Sequence, residues 1–239
     1  MIIFGSAAAC GEGWSDDITV TDAILSRHSC RSFTDRPVEP GTVRALLDTA
    51  RFAPSGGNLQ PWIVHVLSGS SLARFRSILS PLVQAAPLGG AAEYRVYPQH
   101  LKEPYRSRRF KVGEDMFGLI GVKRDDKPGR VRQFARNYDF FGAPVGMFFF
   151  LDRSMGEPQW SDIGMLMQNI MLLARERGLE TCAQEAWSAW HREVTEFLGV
   201  GPDLMLFCGM AVGYGDYDAP INRLRSERAA VEEFASFHD

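Results

Sequence analysis

The sequence holds two informative polar stretches near its start, RHSCRSF at residues 27–33 and APSGGNLQPW at residues 53–62. In the first stretch, Arg27 and Arg31 are four residues apart with Ser29 between them. In a turn, or in the last turn of a helix, their guanidinium groups and the hydroxyl can face one anion. A phosphate monoester suits this set of donors. The alternative is that the two arginines merely flank the negative end of a helix dipole, as cations commonly do at protein surfaces.

The second stretch offers donors for a flat polar ring. Gly56 and Gly57 leave their backbone N–H groups open to close approach, and Ser55, Asn58 and Gln60 add a hydroxyl and two amides. Such a set suits a polar heterocycle or a sugar alcohol chain. The alternative is an ordinary turn, because the same residue types are those that end a helix and reverse the chain.

Length and composition indicate one globular domain. The chain has 239 residues, of which 45% are hydrophobic and 23% charged, enough to bury a substantial core. A formal net charge of −3 argues against a generally basic surface, so we expect no nucleic-acid partner. The longest apolar stretches, residues 145–151 and 163–174, are too short or too interrupted to span a bilayer, which needs about 20 residues. We therefore expect no membrane partner.

The cysteines argue for a reducing compartment and against a metal site. They are widely spaced, with no C-x-x-C and no Cys/His pair at the spacing that zinc sites use. We therefore predict reduced thiols, no bound metal and a cytoplasmic location. The four cysteines are Cys10, Cys30, Cys182 and Cys208.

Hydrophobic spacing predicts the secondary structure. Alternating or continuous apolar runs rich in β-branched and aromatic residues predict strands at residues 62–67, 145–151 and 204–212, the last two being central. Residues 89–136 are expected to form an excursion of short helices and loops. Helical spacing predicts helices around residues 21–25, capped by Thr21, and at 42–50, 71–85, 162–177, 191–198 and 225–237.

The helix predicted at residues 162–177 begins after a candidate cap at Ser161 and ends at Gly178. Its apolar residues cover nearly every side, so it must be buried all round. A small domain offers one central position where a helix can be buried on every side. A subunit interface would bury further residues of this helix.

Taken together, the two polar stretches resemble the opening signatures of the FMN-dependent nitroreductase family, in the same order and at the same spacing. The resemblance continues through GLETC at residues 178–182, QEA at 184–186, residues 209–214 and the closing arginine-rich segment. It covers the chain from about residue 18 to its end. We therefore expect a nitroreductase-like domain over residues 18–239, preceded by a flexible or partner-docked arm over residues 1–17.

The resemblance implies an α+β fold in which a mostly antiparallel central sheet packs among helices, in an intertwined homodimer with FMN at the interface. It also implies roles for particular positions. The residues that correspond to the FMN phosphate and ribityl contacts are Arg27, His28, Ser29 and Arg31, with Arg228 or its neighbour Arg225 returning to the phosphate. The loop that reaches the partner subunit's flavin ring corresponds to Pro54, Ser55, Gly56 and Asn58, with Gln60 nearby. The segment near flavin N5 corresponds to Gln184, Glu185 and Ala186.

Other positions carry weaker expectations. Asp162 falls near the family position that approaches the flavin ring, and Trp187 is a candidate to wall a pocket over it. No catalytic side chain is expected, because the flavin supplies the chemistry. If Arg106, Arg108 or Arg109 faces the pocket, an acidic aromatic such as a nitrobenzoate would fit.

The function that the resemblance implies is an NAD(P)H-dependent flavin oxidoreductase. It would reduce nitroaromatics, with quinones as a further acceptor class, by ping-pong hydride transfer through flavin N5. The family also holds other chemistries, such as reductive dehalogenation, so the fold does not fix the substrate. A non-catalytic, flavin-binding redox sensor is the alternative from a different class.

Overall fold

The computed structural model describes residues 18–238. Residues 1–17, where the sequence predicts an arm, lie outside the described residues. The described part contains seven α-helices and four β-strands. The helices are α1 (Val20–Ser26), α2 (Pro40–Ala50), α3 (Gly69–Ala85), α4 (Tyr105–Leu119), α5 (Lys127–Ala135), α6 (Glu157–Glu176) and α7 (His191–Leu198), and the strands are β1 (Ile63–Ser68), β2 (Val145–Asp152), β3 (Glu180–Gln184) and β4 (Leu204–Gly213).

The four strands form one antiparallel sheet in the order β1-β2-β4-β3. The two central strands are those that the apolar runs predict, since seven of the eight β2 residues and most of β4 are buried. The first strand lies where predicted. The edge strand β3, which hydrophobic spacing did not identify, is five residues long and follows directly after Gly178.

The sheet separates two hydrophobic cores. Alternate residues of β2 point to opposite faces, because side chains in a strand alternate. Phe148 and Phe150 pack on one face with α3, α7 and Trp187, whereas Met147 and Phe149 pack on the other with α2 and α6. The α+β architecture with a mostly antiparallel sheet is therefore confirmed.

Several helix boundaries differ from the predictions. Thr19, not Thr21, caps α1, because its hydroxyl accepts from the Asp22 N–H at 3.1 Å while the Asp22 carboxylate bonds back to Thr19. Helix α6 begins at Glu157, five residues before the predicted start at Asp162. Ser161 lies inside its first turns, and its hydroxyl bonds the Pro158 carbonyl at 2.6 Å instead of capping a helix.

The helix predicted at residues 225–237 does not form. Residues 224–230 have no regular structure, and a single 3₁₀ turn, Val231–Glu233, follows. The segment is exposed in this chain, with Phe234 72% and Phe237 80% accessible. A helix of this length is marginal in water without an apolar face to pack against, and this chain supplies none here.

The excursion over residues 89–136 contains α4 and α5, of which α4 has 15 residues and is longer than expected. No residue of α4 is buried, so the helix lies on the surface of the domain. Helix α6 is buried along one side, but Met165 on another side is 37% exposed. Within this chain α6 is therefore not buried all round. Among the helices of residues 18–238, none combines the length and apolar character needed to cross a bilayer.

Candidate functional site

The end of α1 and the closing segment of the chain enclose a cleft of about 350 Å³, which we call the arginine cleft. Four guanidinium groups converge on it, and α4 contributes Val112. The structure thus brings together five of the predicted phosphate-site residues: Arg27, His28, Ser29, Arg31 and Arg228. Arg225 lines the cleft as well, so both late arginines that the sequence offered are present.

Backbone contacts fix the first side of this cleft. Helix α1 ends at Arg27, whose N–H still bonds the Ala23 carbonyl at 3.0 Å. The following residues then run beside the edge strand β3, where Ser29 bridges Thr181 and the Cys30 N–H donates to the Thr181 carbonyl at 3.0 Å. The RHSCR segment therefore acts as an additional short edge of the sheet, which holds it more rigidly than a free loop.

Asn222 fixes the same segment from the other side, a role that no sequence pattern indicates. Its Oδ1 accepts from the Arg31 N–H at 2.7 Å, and its Nδ2 donates to the Ser32 and Asp216 carbonyls, each at 2.7 Å. The Asn222 side chain is 3% exposed, and both its acceptor oxygen and its donor nitrogen are hydrogen-bonded. Asn222 lies 191 residues from Arg31, so local spacing could not connect them.

The charge in the arginine cleft is not balanced from within. Burial, and then the charge of Arg228, lower the pKa of the Arg27 guanidinium. The nearby acid is Glu180, which is 1% exposed and is already bonded to Arg175 and, at 2.7 Å, to the Tyr217 hydroxyl. Neighbouring guanidinium groups repel one another, and an anion bound between them relieves that repulsion.

His28 lies at the base of the cleft and is 7% exposed. Burial first, and the charge of Arg225 second, lower its pKa to about 4, so the imidazole is neutral at pH 7. Its Nδ1 lies 3.7 Å from Glu180 Oε2, and neither ring nitrogen makes a hydrogen bond of normal geometry. The N–H group of the neutral imidazole is therefore able to donate a hydrogen bond to a ligand that enters the cleft.

These residues fit a phosphate monoester, which carries about −1.5 to −2 charges at pH 7. Several guanidinium groups neutralise such a group while the protein keeps a negative net charge. The Ser29 hydroxyl and the neutral His28 ring supply further hydrogen-bonding atoms. The arginine cleft therefore fits the phosphate end of FMN.

The second polar stretch, which we call the glycine loop (residues 54–60), lies between α2 and β1. Asn58 and Gln60 adopt positive φ of 56° and 49°, which is uncommon for residues other than glycine. The loop is braced internally, since the Ser55 hydroxyl accepts from the Gln60 N–H at 3.0 Å and Gln60 Nε2 bonds Asn58 Oδ1 at 3.2 Å. Backbone strain of this kind clusters at functional sites.

The outer face of the glycine loop is open. Pro54, Gly56, Asn58 and Gln60 are exposed, and a Cβ atom at Gly56 would meet nothing within 4 Å. From below, the Gly56 N–H donates to Asp162 Oδ1 at 3.4 Å, so Asp162 supports the loop from α6. No residue of the loop lines the arginine cleft, so one chain does not bring the two polar stretches into a single site.

The third predicted segment begins at the end of β3. Glu185 is exposed, whereas the Gln184 side chain is buried, with Nε2 donating to the Asn137 carbonyl at 2.8 Å. Trp187 does not wall a pocket. It is fully buried, packs against Phe140 at a centroid distance of 4.6 Å, and lies where a Cβ at Gly209 would come within 2.2 Å of its ring.

A second cleft, of about 470 Å³, lies between α4 and the residues before and after it, and we call it the aromatic cleft. Of the three arginines proposed for substrate selection, Arg109 lines this cleft. Arg106 instead pairs with Glu103 at 2.7 Å, and Arg108 pairs with Glu233 at 3.0 Å. Among residues 18–238, no group of three or more histidine, cysteine or acidic side chains is placed to hold a metal ion.

Comparison with known proteins places this arrangement in a family. The model of the nitroreductase family matches residues 24–214. The chain is 37% identical to a 4-nitrobenzoate reductase of Pseudomonas putida, over 90% of this chain and 94% of that protein. It is 36% identical to a nitrobenzene nitroreductase of Ectopseudomonas oleovorans, over 91% of this chain and 96% of that protein.

Solved structures agree. An FMN- and NADPH-dependent nitroreductase, NfnB, from Sphigopyxis sp. strain HMH superimposes with a TM-score of 0.89 and 41% identity, over 93% of this chain and all of that one. An FMN-dependent NfnB from Mycobacterium smegmatis, solved in complex with NADPH, gives a TM-score of 0.86 at 27% identity, over 92% and 97% of the two chains. The chain belongs to the nitroreductase family.

Proposed function

We propose that this protein is an FMN-dependent oxidoreductase that uses NAD(P)H to reduce nitroaromatic compounds. The observation that carries the proposal is the arginine cleft, in which four guanidinium groups converge and no acidic side chain is among the lining residues. Membership of the nitroreductase family supports FMN as the ligand of that cleft. Relatives named for 4-nitrobenzoate, nitrobenzene and chloronitrobenzene reduction support a nitroaromatic acceptor.

In this proposal the FMN phosphate lies in the arginine cleft, bonded by Arg27, Arg31 and Arg228, with His28 and Ser29 at the start of the ribityl chain. Arg225 bonds the carbonyls of Asn222 and Leu224 at 2.8 and 2.9 Å, so it supports the cleft wall. Arg228 bonds Ser226 and Glu227, and no other residue of the described range 18–238. Arg228 is therefore the better placed of the two to turn toward a phosphate.

The other two segments are proposed to serve the flavin ring. Bound FMN would accept a hydride from the nucleotide and pass the electrons to the acceptor. In this proposal the backbone of residues 184–186, at the end of β3, donates N–H groups to that ring, and the exposure of Glu185 supports access of a ligand to this edge. Fixed backbone donors favour a ring that gains negative charge on reduction.

We propose a homodimer in which the glycine loop of one subunit reaches the flavin of its partner. The loop and the arginine cleft do not meet within one chain, although both carry the family signature. Apolar side chains in and beside the loop remain uncovered, with Leu59 of the loop 53% and Phe52 before it 77% exposed. A second copy that covers these residues completes the site and removes the exposed apolar area.

We also propose a cytoplasmic location. Among the described residues the thiols of Cys30, Cys182 and Cys208 are buried and unpaired, which suits a reducing compartment.

Two steps test the proposed function. The purified protein should be yellow with FMN, and anaerobic NADPH or NADH should bleach the flavin absorbance. Adding 4-nitrobenzoate or nitrobenzene should then restore the absorbance while the nitro compound is consumed. A colourless protein that takes up no FMN would contradict the proposal at its first step.

The remaining outcomes separate the alternatives. A yellow protein that stays oxidised with both nucleotides would indicate a flavin-binding redox sensor. A protein that is reduced by a nucleotide, ignores nitroaromatics and releases halide from a halogenated aromatic would indicate a reductive dehalogenase.

A further inference from the structure

The aromatic cleft, on the far side of Val112 and Leu224 from the arginine cleft, has no role in the assignments above. Its volume of about 470 Å³ is typical of a small-molecule site. Arg31, Val112 and Leu224 line both clefts, so the two are neighbours at the phosphate end of the proposed FMN site.

The lining of the aromatic cleft is strongly basic. Four arginines and one glutamate line it, which gives a formal lining charge of +3. Glu114 is paired with Arg130 at 2.7 Å. Among the described residues, Arg109 and Arg124 make no ion pair, so their guanidinium N–H groups are available to an anion.

Both of these arginines lie beside aromatic rings. The Arg109 guanidinium lies 4.1 Å from the Tyr97 ring centroid, and that of Arg124 lies 5.0 Å from the Phe110 centroid. A cation–π contact of this kind restrains a guanidinium group and leaves N–H groups free to bond an anion. Tyr97 and Phe110 are themselves 48% and 52% exposed. The cleft thus offers both a base-stacking surface and an anion site.

We infer that the aromatic cleft binds the adenosine 2′-phosphate end of NADPH and makes the protein prefer NADPH to NADH. This inference rests on the proposed function. The 2′-phosphate is the group that distinguishes the two nucleotides, and arginine is the side chain that accommodates it in other nucleotide sites. Adenine packs against the exposed rings of Tyr97 and Phe110, and the phosphate is bonded by Arg109 and Arg124.

The position of the cleft favours the nucleotide over the aromatic acceptor. An acceptor must contact the flavin ring to receive electrons, and none of residues 184–186, proposed to lie at that ring, lines the aromatic cleft. A dinucleotide is long enough to place its nicotinamide on the ring and its adenosine beyond the phosphate end. The carboxylate of a nitrobenzoate does not have that reach.

The test compares holoenzyme variants on both nucleotides. Arg109→Ala and Arg124→Ala should each lower kcat/KM for NADPH about 10-fold or more through KM, as loss of a charge-assisted hydrogen bond implies. The values for NADH should change by less than about 2-fold, and the FMN content should stay the same. Arg106→Ala is the matched control, because Arg106 is on the same helix, is exposed and lines neither cleft. An equal loss with NADH, or no loss with NADPH, would overturn the inference.

Binding without turnover gives an independent readout. Adenosine 2′,5′-bisphosphate titrated calorimetrically into the FMN-loaded protein should bind the wild type and the Arg106→Ala variant equally, and the Arg109→Ala variant about 10-fold more weakly. If neither nucleotide reduces the flavin, the proposed function fails while this titration still decides the inference. Equal affinity of all three proteins, or binding to none of them, would overturn it.

Discussion

His28 shows how strongly its surroundings set the behaviour of a single residue in this site. It is buried among positively charged groups, and its pKa falls to about 4, whereas the imidazole of an unfolded chain titrates near 6.5. Between these two values the unfolded chain binds a proton that the folded chain does not. Protonation of His28 therefore lowers the stability of the FMN-free protein as the pH falls through that window.

Replacing His28 with glutamine removes this pH dependence. Between pH 7 and pH 4.5, the loss of unfolding free energy in the wild type should exceed any loss in His28→Gln by about 2 to 3 kcal/mol. Urea denaturation of both FMN-free proteins at the two pH values measures the difference. If the unfolding free energies of the two proteins changed equally with pH, the pKa of His28 would be the same in the folded and unfolded states, and the prediction would be wrong.

The roles of single residues were predictable from sequence only where their partners are close in the chain. Arg27, Ser29 and Arg31 lie within five residues, so their spacing alone indicated an anion site. The buried Glu180 and its partner Tyr217 are 37 residues apart, and nothing local connects them. Only the folded chain shows that Glu180 is bonded to Arg175 and Tyr217 and does not line the cleft.

At the scale of elements, the short 3₁₀ helix Pro220–Arg223 supports the RHSCR segment through Asn222. Asn222→Ala removes one acceptor and two donors, so the partly buried Arg31 N–H and Asp216 carbonyl lose their bonds to this side chain, and the Ser32 carbonyl keeps the bond from the Asp216 N–H. It should lower the unfolding free energy by about 2 to 4 kcal/mol and weaken FMN binding at least about 10-fold. Thermal unfolding and FMN titration measure the two effects.

Asn137→Ala is a control for a buried amide network that lies away from the arginine cleft, since Asn137 bonds Gln184 beside the core. It should lower stability with a smaller effect on FMN affinity. If Asn222→Ala lowered stability and left FMN affinity at the wild-type value, Asn222 would not position the cleft.

Elements were predictable where one chain supplies both the pattern and its partner. Helices α2, α3 and α7 and strands β1, β2 and β4 lie where their apolar spacing indicates, because each buries that face in one of the two cores. The segment at residues 225–237 has helical spacing but no surface of the described chain to pack against, so the helix prediction there was wrong. Strand β3 was missed because it has only five residues and a mixed composition.

At the scale of the whole molecule, the described chain leaves exposed apolar residues beside the core that contains α2 and α6. Met165 is exposed, although α6 has apolar residues on nearly every side, and so are Leu59 in the glycine loop and Phe52 before it. The sequence predicts complete burial of this helix, and a single copy does not provide it. A second copy is the simplest cover, and it is the one that the proposed site requires.

Met165→Glu tests this arrangement. A charge at a dimer interface should shift the protein toward the monomer and lower its FMN content together, because each site would lose its partner's loop. Analytical ultracentrifugation and the ratio of flavin to protein absorbance measure both. Leu88→Glu, at an exposed residue beside the other core, should change neither. A dimeric Met165→Glu protein with full FMN content would contradict the arrangement.

The central claim is that the arginine cleft holds the phosphate of FMN, and the most direct measurement compares FMN with riboflavin, which lacks that phosphate. Wild-type protein should bind FMN far more tightly than riboflavin. Arg27→Ala should weaken FMN about 10- to 100-fold and riboflavin by less than about 3-fold, whereas the exposed Arg132→Ala should change neither. An Arg27→Ala variant that keeps the wild-type ratio of FMN to riboflavin affinity would contradict the claim.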